Sequence, residues 1–415
     1  MLKKLIVFSC FLVSFAALSQ STIKIMFYNL LEFPEALPPN RSLILQNIID
    51  QYEPDIFMVC ELQSEAGADE ILNTSLNDEG NNYERAAYFE NQSGYADLQQ
   101  LIFFRKSKFT LLGNEIITTN VRDINHYTLQ ANTANKRSDP LLVELFVTHL
   151  KASSGGENEQ KRLQMVQRFT NELEELNPNS FVVFSGDLNL YSSTEPAYQE
   201  LLDPTNVITM VDPADTPGLW HNNSNFKQVH TQSTRLSSGP FGAGAGGGMD
   251  DRFDFILISE NMQTNPKLKY VEGSYQAFGN NGNCFNNSVN SPDCTGDFSE
   301  TLRNDLYNMS DHLPVVMELQ TNKDIILSGT DFEGNALTIS IENTLAKTLL
   351  KVLVKTQILE NSMFSIYNVL GQKVLEHPIN TSEKTIFIPV SHLADGIYYL
   401  QTGLQDKPLK FVKTS

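Results

Sequence analysis

The sequence predicts a layered α/β domain followed by a small all-β module, and three features carry that reading. From Ile23 to Leu319, short β-rich apolar runs alternate with helical or loop stretches. Several of the runs are apolar at consecutive positions, which is expected of strands covered on both faces. After Leu319 the pattern changes to a polar connector and then to β-type runs alone. The composition, 415 residues with 41% apolar and 19% charged, is that of a globular chain and excludes disorder, collagen-like repeats and a disulfide scaffold.

The chain opens as an export signal. Lys3 and Lys4 form a positive start, Leu5 to Leu18 an apolar run, and Ala17-Leu18-Ser19 the small-residue site of a cut before Gln20. Residues 1–19 are thus expected to be removed. The run falls short of the ~20 apolar residues that span a bilayer, and no other segment reaches that length, so no membrane span is expected in the mature chain.

Strands are expected at Ile23 to Tyr28, Asp55 to Cys60, Leu101 to Phe104, Leu141 to Thr148, Phe181 to Ser185, Phe253 to Ile258 and Pro314 to Leu319. One helix is expected from Ser42 to Tyr52, stopped by Pro54. A second runs from Glu157 to Leu176, with Leu163, Val166, Phe169, Leu173 and Leu176 at helical spacing. Buried sheets with helices outside make the layers. Gly239 to Gly248 satisfies GxGxxG but leads into a strand instead of following one, so it is read as a mobile loop and not as a nucleotide cradle. The C-terminal runs are Phe364-Ser-Ile-Tyr, Thr385-Ile-Phe-Ile-Pro and Gly396-Ile-Tyr-Tyr-Leu-Gln. The expected division is residues 22–320, a linker at 321–338 and a β-rich module at 339–415.

The chain carries 30 basic and 49 acidic side chains, net −19. Losing Lys3 and Lys4 with the signal leaves −21, and residues 321–415 hold nine of each sign, so the imbalance lies wholly in the first domain. That is not the footprint of a protein that holds nucleic acid by neutralising phosphates. In an oxidising compartment, Cys284 and Cys294 close a short turn-rich loop and are expected to form a disulfide, while Cys60 sits in an apolar strand as a buried thiol.

Polar residues recur at the ends of these strands: Asn29, Glu61, His149, Asp187, Asn189, Asp254, Asp311 and His312. Each would cost several kcal/mol to bury without a partner, so their joint recurrence suggests one shared site. Carboxylates and amides without cysteine are hard oxygen donors suited to Mg²⁺, Mn²⁺ or Ca²⁺. Two histidines beside them can move protons or donate to an oxyanion, and a divalent ion with a His–Asp pair is an economical means of cleaving a phosphoester. No GxSxG elbow is present, so serine-hydrolase chemistry fits worse. His126, His221 and His230 belong to no motif and are read as surface or loop residues, and Asp250-Asp251 as a solvated turn in preference to a second metal site.

Asn29 in Phe-Tyr-Asn-Leu, Glu61 in Cys-Glu-Leu-Gln, His149 in Thr-His-Leu-Lys, Ser185-Gly-Asp-Leu-Asn189, Arg252-Phe-Asp254 and Ser310-Asp-His312 together resemble the endonuclease/exonuclease/phosphatase superfamily over residues 22–320. The resemblance implies a four-layer sandwich of two sheets between helices. It implies Glu61 as principal metal ligand with Asn29 and Asp311 near the ion, and Asp254 orienting His312. Asp187 and Asn189 would position water and phosphate, and His149 would contact the phosphate or assist the leaving oxygen. Gln63 stands where some family nucleases have Arg, and only Gln99 and Gln100 stand where some have a carboxylate supporting the first histidine.

Phe364-Ser-Ile-Tyr-Asn-Val-Leu-Gly-Gln-Lys-Val, Leu393-Ala-Asp-Gly-Ile-Tyr-Tyr-Leu and the closing Lys410-Phe-Val-Lys resemble the type A C-terminal sorting domain of type IX secretion. This implies the type IX secretion machinery as a partner, and a destination at the surface of a Gram-negative bacterium or beyond it. The function expected from sequence is a secreted divalent-metal-dependent phosphoester hydrolase with nucleic acid as first substrate. The alternative is lipid headgroups or small organic phosphates, and the rival outside enzymology is a non-catalytic surface binding protein.

Overall fold

The computed structural model describes residues 21–414 apart from 79, 95–97, 327–338, 343, 355–362, 379–384 and 403–404. The signal segment 1–19 and most of the 321–338 connector lie outside the described residues. The chain divides into two compact units, with the boundary between Gly329 and Thr330.

The first unit is built on two sheets. One contains β1 (Ser21–Phe33), β2 (Ile56–Leu62), β3 (Tyr83–Arg85), β4 (Gln99–Arg105), β11 (Lys269–Tyr270), β12 (Gln276–Ala277) and β13 (Val315–Thr321), in the order β11-β13-β1-β2-β4-β3 with β12 also on β13. The other contains β5 (Phe109–Ile117), β6 (Ile124–Ala131), β7 (Leu142–His149), β8 (Val182–Asp187), β9 (Met210–Val211) and β10 (Asp254–Ser259), in the order β5-β6-β7-β8-β10-β9. Ile25, Phe57 and Met58 of the first sheet share one buried core with Leu145, Val183 and Ile256 of the second, so the sheets pack face to face. Both faces of the central strands are covered, which is why those strands read as unbroken apolar runs.

Helices complete the layers. Helix α1 (Arg41–Tyr52) buries Leu45, Ile48 and Ile49, spaced by three and four residues, and ends at Glu53 in a left-handed conformation just before Pro54. It lies with α5 (Glu300–Met309) on the first sheet. Helix α3 (Gly156–Glu172) buries Met165, Val166 and Phe169 against the second sheet and tightens into a 3₁₀ turn at Leu173–Glu175. Short helices α2 (Glu65–Glu70) and α4 (Pro196–Leu201) finish the unit. The result is the expected four-layer sandwich.

Several elements go beyond the sequence reading, among them one hairpin and one helix. The β5–β6 hairpin lies outside that reading; β5 buries only its end residues Phe109 and Ile117 and leaves the positions between them half-buried or exposed. Helix α5 was also not expected, although Ser299 caps it by accepting the Leu302 N–H at 3.2 Å and Leu302, Leu306 and Met309 line its buried side. This helix delivers the chain directly into Ser310-Asp311-His312.

The second unit is all-β. Strands β14 (Ile339–Ile341), β16 (Leu349–Val354) and β19 (Thr385–Pro389) form one sheet. The other holds β15 (Leu345–Ala346), β17 (Met363–Asn368), β18 (Lys373–Pro378), β20 (Gly396–Thr402) and β21 (Gln405–Lys413). Leu350, Val352, Phe364, Ile366, Ile386, Ile388 and Leu400 make its core.

Candidate active site

The strand directions explain how eight scattered residues reach one rim. β1 and β2 run parallel, with Asn29 opposite Cys60, and β7 and β8 run parallel, with His149 opposite Asp187. These four strands bring Asn29, Glu61, His149 and Asp187 at or near their C-terminal ends. β10 is antiparallel to β8 and β13 is antiparallel to β1, so Asp254 and His312 arrive at strand beginnings; Asp254 lies directly opposite Asp187.

Local backbone fits each side chain to the rim. Glu61 has φ 60°, at a register shift between Val59 and Leu62, and Asn189 has φ 51°. Left-handed backbone at a non-glycine residue costs about 1–3 kcal/mol and gathers at functional sites. Gly186 is dictated by close approach, since a Cβ there would lie 2.2 Å from the Thr148 carbonyl oxygen. That spacing sets His149 against Asp187.

The side chains form a continuous polar network. The Asn29 amide nitrogen donates to Glu61 Oε1 at 2.9 Å and Asp187 Oδ2 at 3.1 Å, and lies 3.4 Å from His312 Nε2. The Ser310 hydroxyl donates to the Asn29 carbonyl, joining β1 to the Ser-Asp-His segment. Asp187 Oδ1 accepts both the backbone and side-chain N–H of Asn189, at 3.1 and 2.8 Å. His312 Nδ1 is 2.7 Å from Asp254 Oδ2, and His312 Nε2 is 3.6 Å from Asp187 Oδ2. His149 stands 3.5 Å from Asp187 Oδ2 and 3.8 Å from Glu61 Oε1.

Burial and charge separate the two histidines. Burial pushes the His149 pKa well down, aided by the cations Arg122, His312 and Lys151, so that ring is neutral. Burial also opposes charge on His312, but Asp254, Asp187 and Asp311 outweigh it and hold its pKa well above the ordinary value. The carboxyls of Glu61 and Asp187 are raised, chiefly by burial; Asp311 adds to the effect at Glu61, while His312 pulls Asp187 back. A cluster of this kind is under electrostatic load that a bound cation would relieve.

The residues present fit such an ion. Among the described residues, Glu61, His149 and Asp187 bring ligand atoms within 4.8 Å of one another, as do Asp187, Asp254 and His312. Asp254 Oδ1, Asp311 Oδ1 and His149 Nδ1 are buried without a hydrogen-bond partner. Of the sequence set Asn29, Glu61 and Asp311, Glu61 lies in the first group and Asn29 donates to both of that group's carboxylates. His149 and Asp187 join Glu61, and Asp311 belongs to neither group; its Oδ2 accepts the Gln232 amide and the Ala245 N–H while its Oδ1 is left bare.

Other expectations are corrected. His230 is fully buried, with Nε2 3.0 Å from the Trp220 carbonyl oxygen, and His126 lies in β6 with Nε2 2.9 Å from Glu144. Asp251 is not a solvated turn residue, because it is 2.7 Å from His221 Nδ1 and burial raises its pKa to about 6. The Gly239–Gly248 stretch is folded against Asp311 and does not stand beside the next strand alone. The cysteines are as expected: Cys284 and Cys294 are joined, and Cys60 is buried, with its thiol pKa raised by burial.

The sequence reading missed Gln232, Ala245 and Arg122. Gln232 Nε2 is 2.6 Å from His312 Nε2, and the Arg122 guanidinium donates to the Leu150 carbonyl beside His149. An Arg shortly before a strand that pairs with the His149 strand offered a weak signal for Arg122; the other two offered none.

No curated protein matches this chain. Among solved structures, D. rerio TDP2 complexed with single-strand DNA product shares 17% identity, with 72% of this chain and 100% of that one covered at a TM-score of 0.46. An endonuclease/exonuclease/phosphatase family protein from Bacteroides thetaiotaomicron shares 13%, covering 73% and 96% at 0.45. The human Nocturnin catalytic domain with bound sulfate shares 15%, covering 72% and 94% at 0.43. Residues 346–413 match the family described as a secretion system C-terminal sorting domain, and the C-terminal all-β unit of this chain is such a domain.

Proposed function

We propose that the protein is a secreted, divalent-metal-dependent phosphoester hydrolase, with nucleic-acid phosphodiesters as the first substrate class. One observation carries the reading: Asn29, Glu61, Asp187 and His312, from separate elements of both sheets, meet within hydrogen-bonding reach in a buried cluster, with Asp254 behind His312. Glu61, with Asn29 and Asp311 near it, would hold Mg²⁺ or Mn²⁺. Such an ion supplies positive charge for the phosphate oxygens and the leaving oxygen.

The chain's own residues do the rest. Asp187, fixed by Asn189 and Asn29, orients the attacking water and takes its proton, a role suited to a carboxyl raised by burial. Asp254 anchors Nδ1 of His312, so Nε2 faces the phosphate and donates to the oxygen on which charge grows. Neutral His149 contacts another phosphate oxygen. Arg122 and Lys151, flanking that histidine, favour an anionic ligand.

The net charge of −21 after signal removal favours a second reading, phosphoesters of lipid headgroups or small organic phosphates, which need no long basic groove. The sorting domain supports export through the type IX machinery to the cell surface or medium. Among the described residues no helix is long and apolar enough to cross a membrane. Purified protein is to be assayed on plasmid DNA, RNA, sphingomyelin and nitrophenyl phosphate, with Mg²⁺ and with chelator. Chelator-sensitive cleavage is expected, and its loss in Glu61→Gln and His312→Asn. Cleavage confined to lipid or nitrophenyl substrates would move the assignment to the second reading, and inertness on all four would return the protein to a binding role.

A further inference from the structure

The glycine-rich stretch and Gln232 converge on one oxygen of one carboxylate. Asp311 is 3% exposed, and its Oδ2 accepts the Ala245 backbone N–H at 2.6 Å and the Gln232 amide at 3.2 Å. Its other oxygen, Oδ1, is buried with no hydrogen-bond partner. A carboxylate with one oxygen doubly held and the other bare is turned, not merely buried, because a buried carboxylate oxygen left bare is costly unless something else meets it.

The segment supplying these donors is built for close approach. Gly244 has φ +86°, and a Cβ there would lie 2.9 Å from Asp311 Cγ, 3.0 Å from Asp311 Oδ2 and 3.1 Å from Leu31 Cδ2. Only glycine lets the strand of backbone pass this near the carboxylate. The strap is stapled to the Gln232 segment: the Ser233 hydroxyl donates to the Ala245 carbonyl, Ser233 N–H to the Gly248 carbonyl, and Gly248 N–H to the Arg235 carbonyl. Gln232 and the strap are therefore one unit, and Gln232 also touches His312 Nε2 at 2.6 Å.

We propose that Gln232 and the Gly244–Ala245 backbone are a positioning clamp that fixes Asp311 through Oδ2 and presents Oδ1 to the divalent cation. This assigns a task to the glycine-rich motif that the GxGxxG pattern misnames, and it rests on the metal-site reading above. Neither Gln232 nor Ala245 touches the ion; each acts through Asp311. Outer partners of metal ligands commonly govern affinity by about 10–100-fold.

The test measures Mn²⁺ affinity of the full chain by electron paramagnetic resonance, alongside thermal midpoint, for Gln232→Met, Gly244→Ala and Glu61→Gln. Gln232→Met keeps size and removes the donor, so it remains informative should Gly244→Ala fail to fold. The expected result is a dissociation constant raised about 10-fold or more in Gln232→Met and in folded Gly244→Ala, with the thermal midpoint of Gln232→Met held. Affinity unchanged within twofold in Gln232→Met while Glu61→Gln abolishes binding would overturn the clamp and leave the metal site standing. Unchanged affinity in all three would overturn both.

Discussion

His312 turns Nδ1 to the Asp254 carboxylate at 2.7 Å, and the two side chains are 3% and 0% exposed. The pair is assembled by strand register, because Asp254 opens β10 opposite Asp187 while His312 precedes β13. Asp254→Asn keeps the shape but removes the charge that supports an imidazolium. We expect kcat on the cleaved phosphoester to fall about 10²–10⁴-fold with a smaller change in KM. An unaltered kcat in the folded variant would remove the pair from the chemistry.

Glu61 sits in a left-handed backbone conformation and accepts hydrogen bonds from Asn29 and from the Glu32 N–H. Wild-type protein is expected to gain thermal stability with increasing Mg²⁺, as any protein does whose ligand binds only the native state. In Glu61→Gln that gain should vanish while the metal-free midpoint stays close to wild type. Calorimetric scans across a magnesium series check this, and equal shifts in both proteins would rule out Glu61 as the ion's main anchor.

Arg252 belongs to the Arg-Phe-Asp motif but faces away from the chemistry. It forms a paired ion bridge with Asp212 at 2.7 and 2.8 Å, with side chains 1% and 3% exposed, and its guanidinium lies 4.1 Å from the Phe255 ring centre. Removing one partner strands a buried charge, so Asp212→Ala should lower unfolding free energy by about 3–5 kcal/mol. Urea titration followed by fluorescence provides the measurement; a loss under about 1 kcal/mol would show that the pair is not the anchor it looks to be.

His230 supplies a pH dependence. Burial lowers its pKa, so the folded protein keeps it neutral where the unfolded chain, with a histidine pKa of about 6.5, takes up a proton. The unfolded state then binds more protons, and stability is lost as pH falls below about 6.5. His230→Gln should flatten the decline of thermal midpoint between about pH 6.5 and 5 relative to wild type. An identical slope in both would remove His230 from the acid response.

The limits of sequence reading are visible in particular residues. Periodicity located the buried strands and the two long helices, because a strand covered on both faces must be apolar throughout and a helix on a sheet must be apolar on one stripe. Helix α5 was legible in principle from Ser299 and the 302, 306, 309 spacing. Strand β6 was legible too, since Tyr127, Leu129 and Ala131 alternate on its buried face, whereas β5 buries only its two ends and offers no period.

Short motifs, by contrast, marked the residues that the fold brings together. Asn29, Glu61, His149, Asp187, Asn189, Asp254, Asp311 and His312 are chemically conspicuous wherever they fall beside an apolar run, and their types already pointed to a hard cation and a phosphoester. Their grouping was decided by tertiary structure. How the Asp311 carboxylate is turned depends on a backbone N–H at Ala245 and an amide at Gln232, 66 and 79 residues away in sequence. Neutral amides and peptide groups look the same everywhere in a sequence, and acquire a role only when sheet register and chain packing set them a hydrogen bond away from a charge.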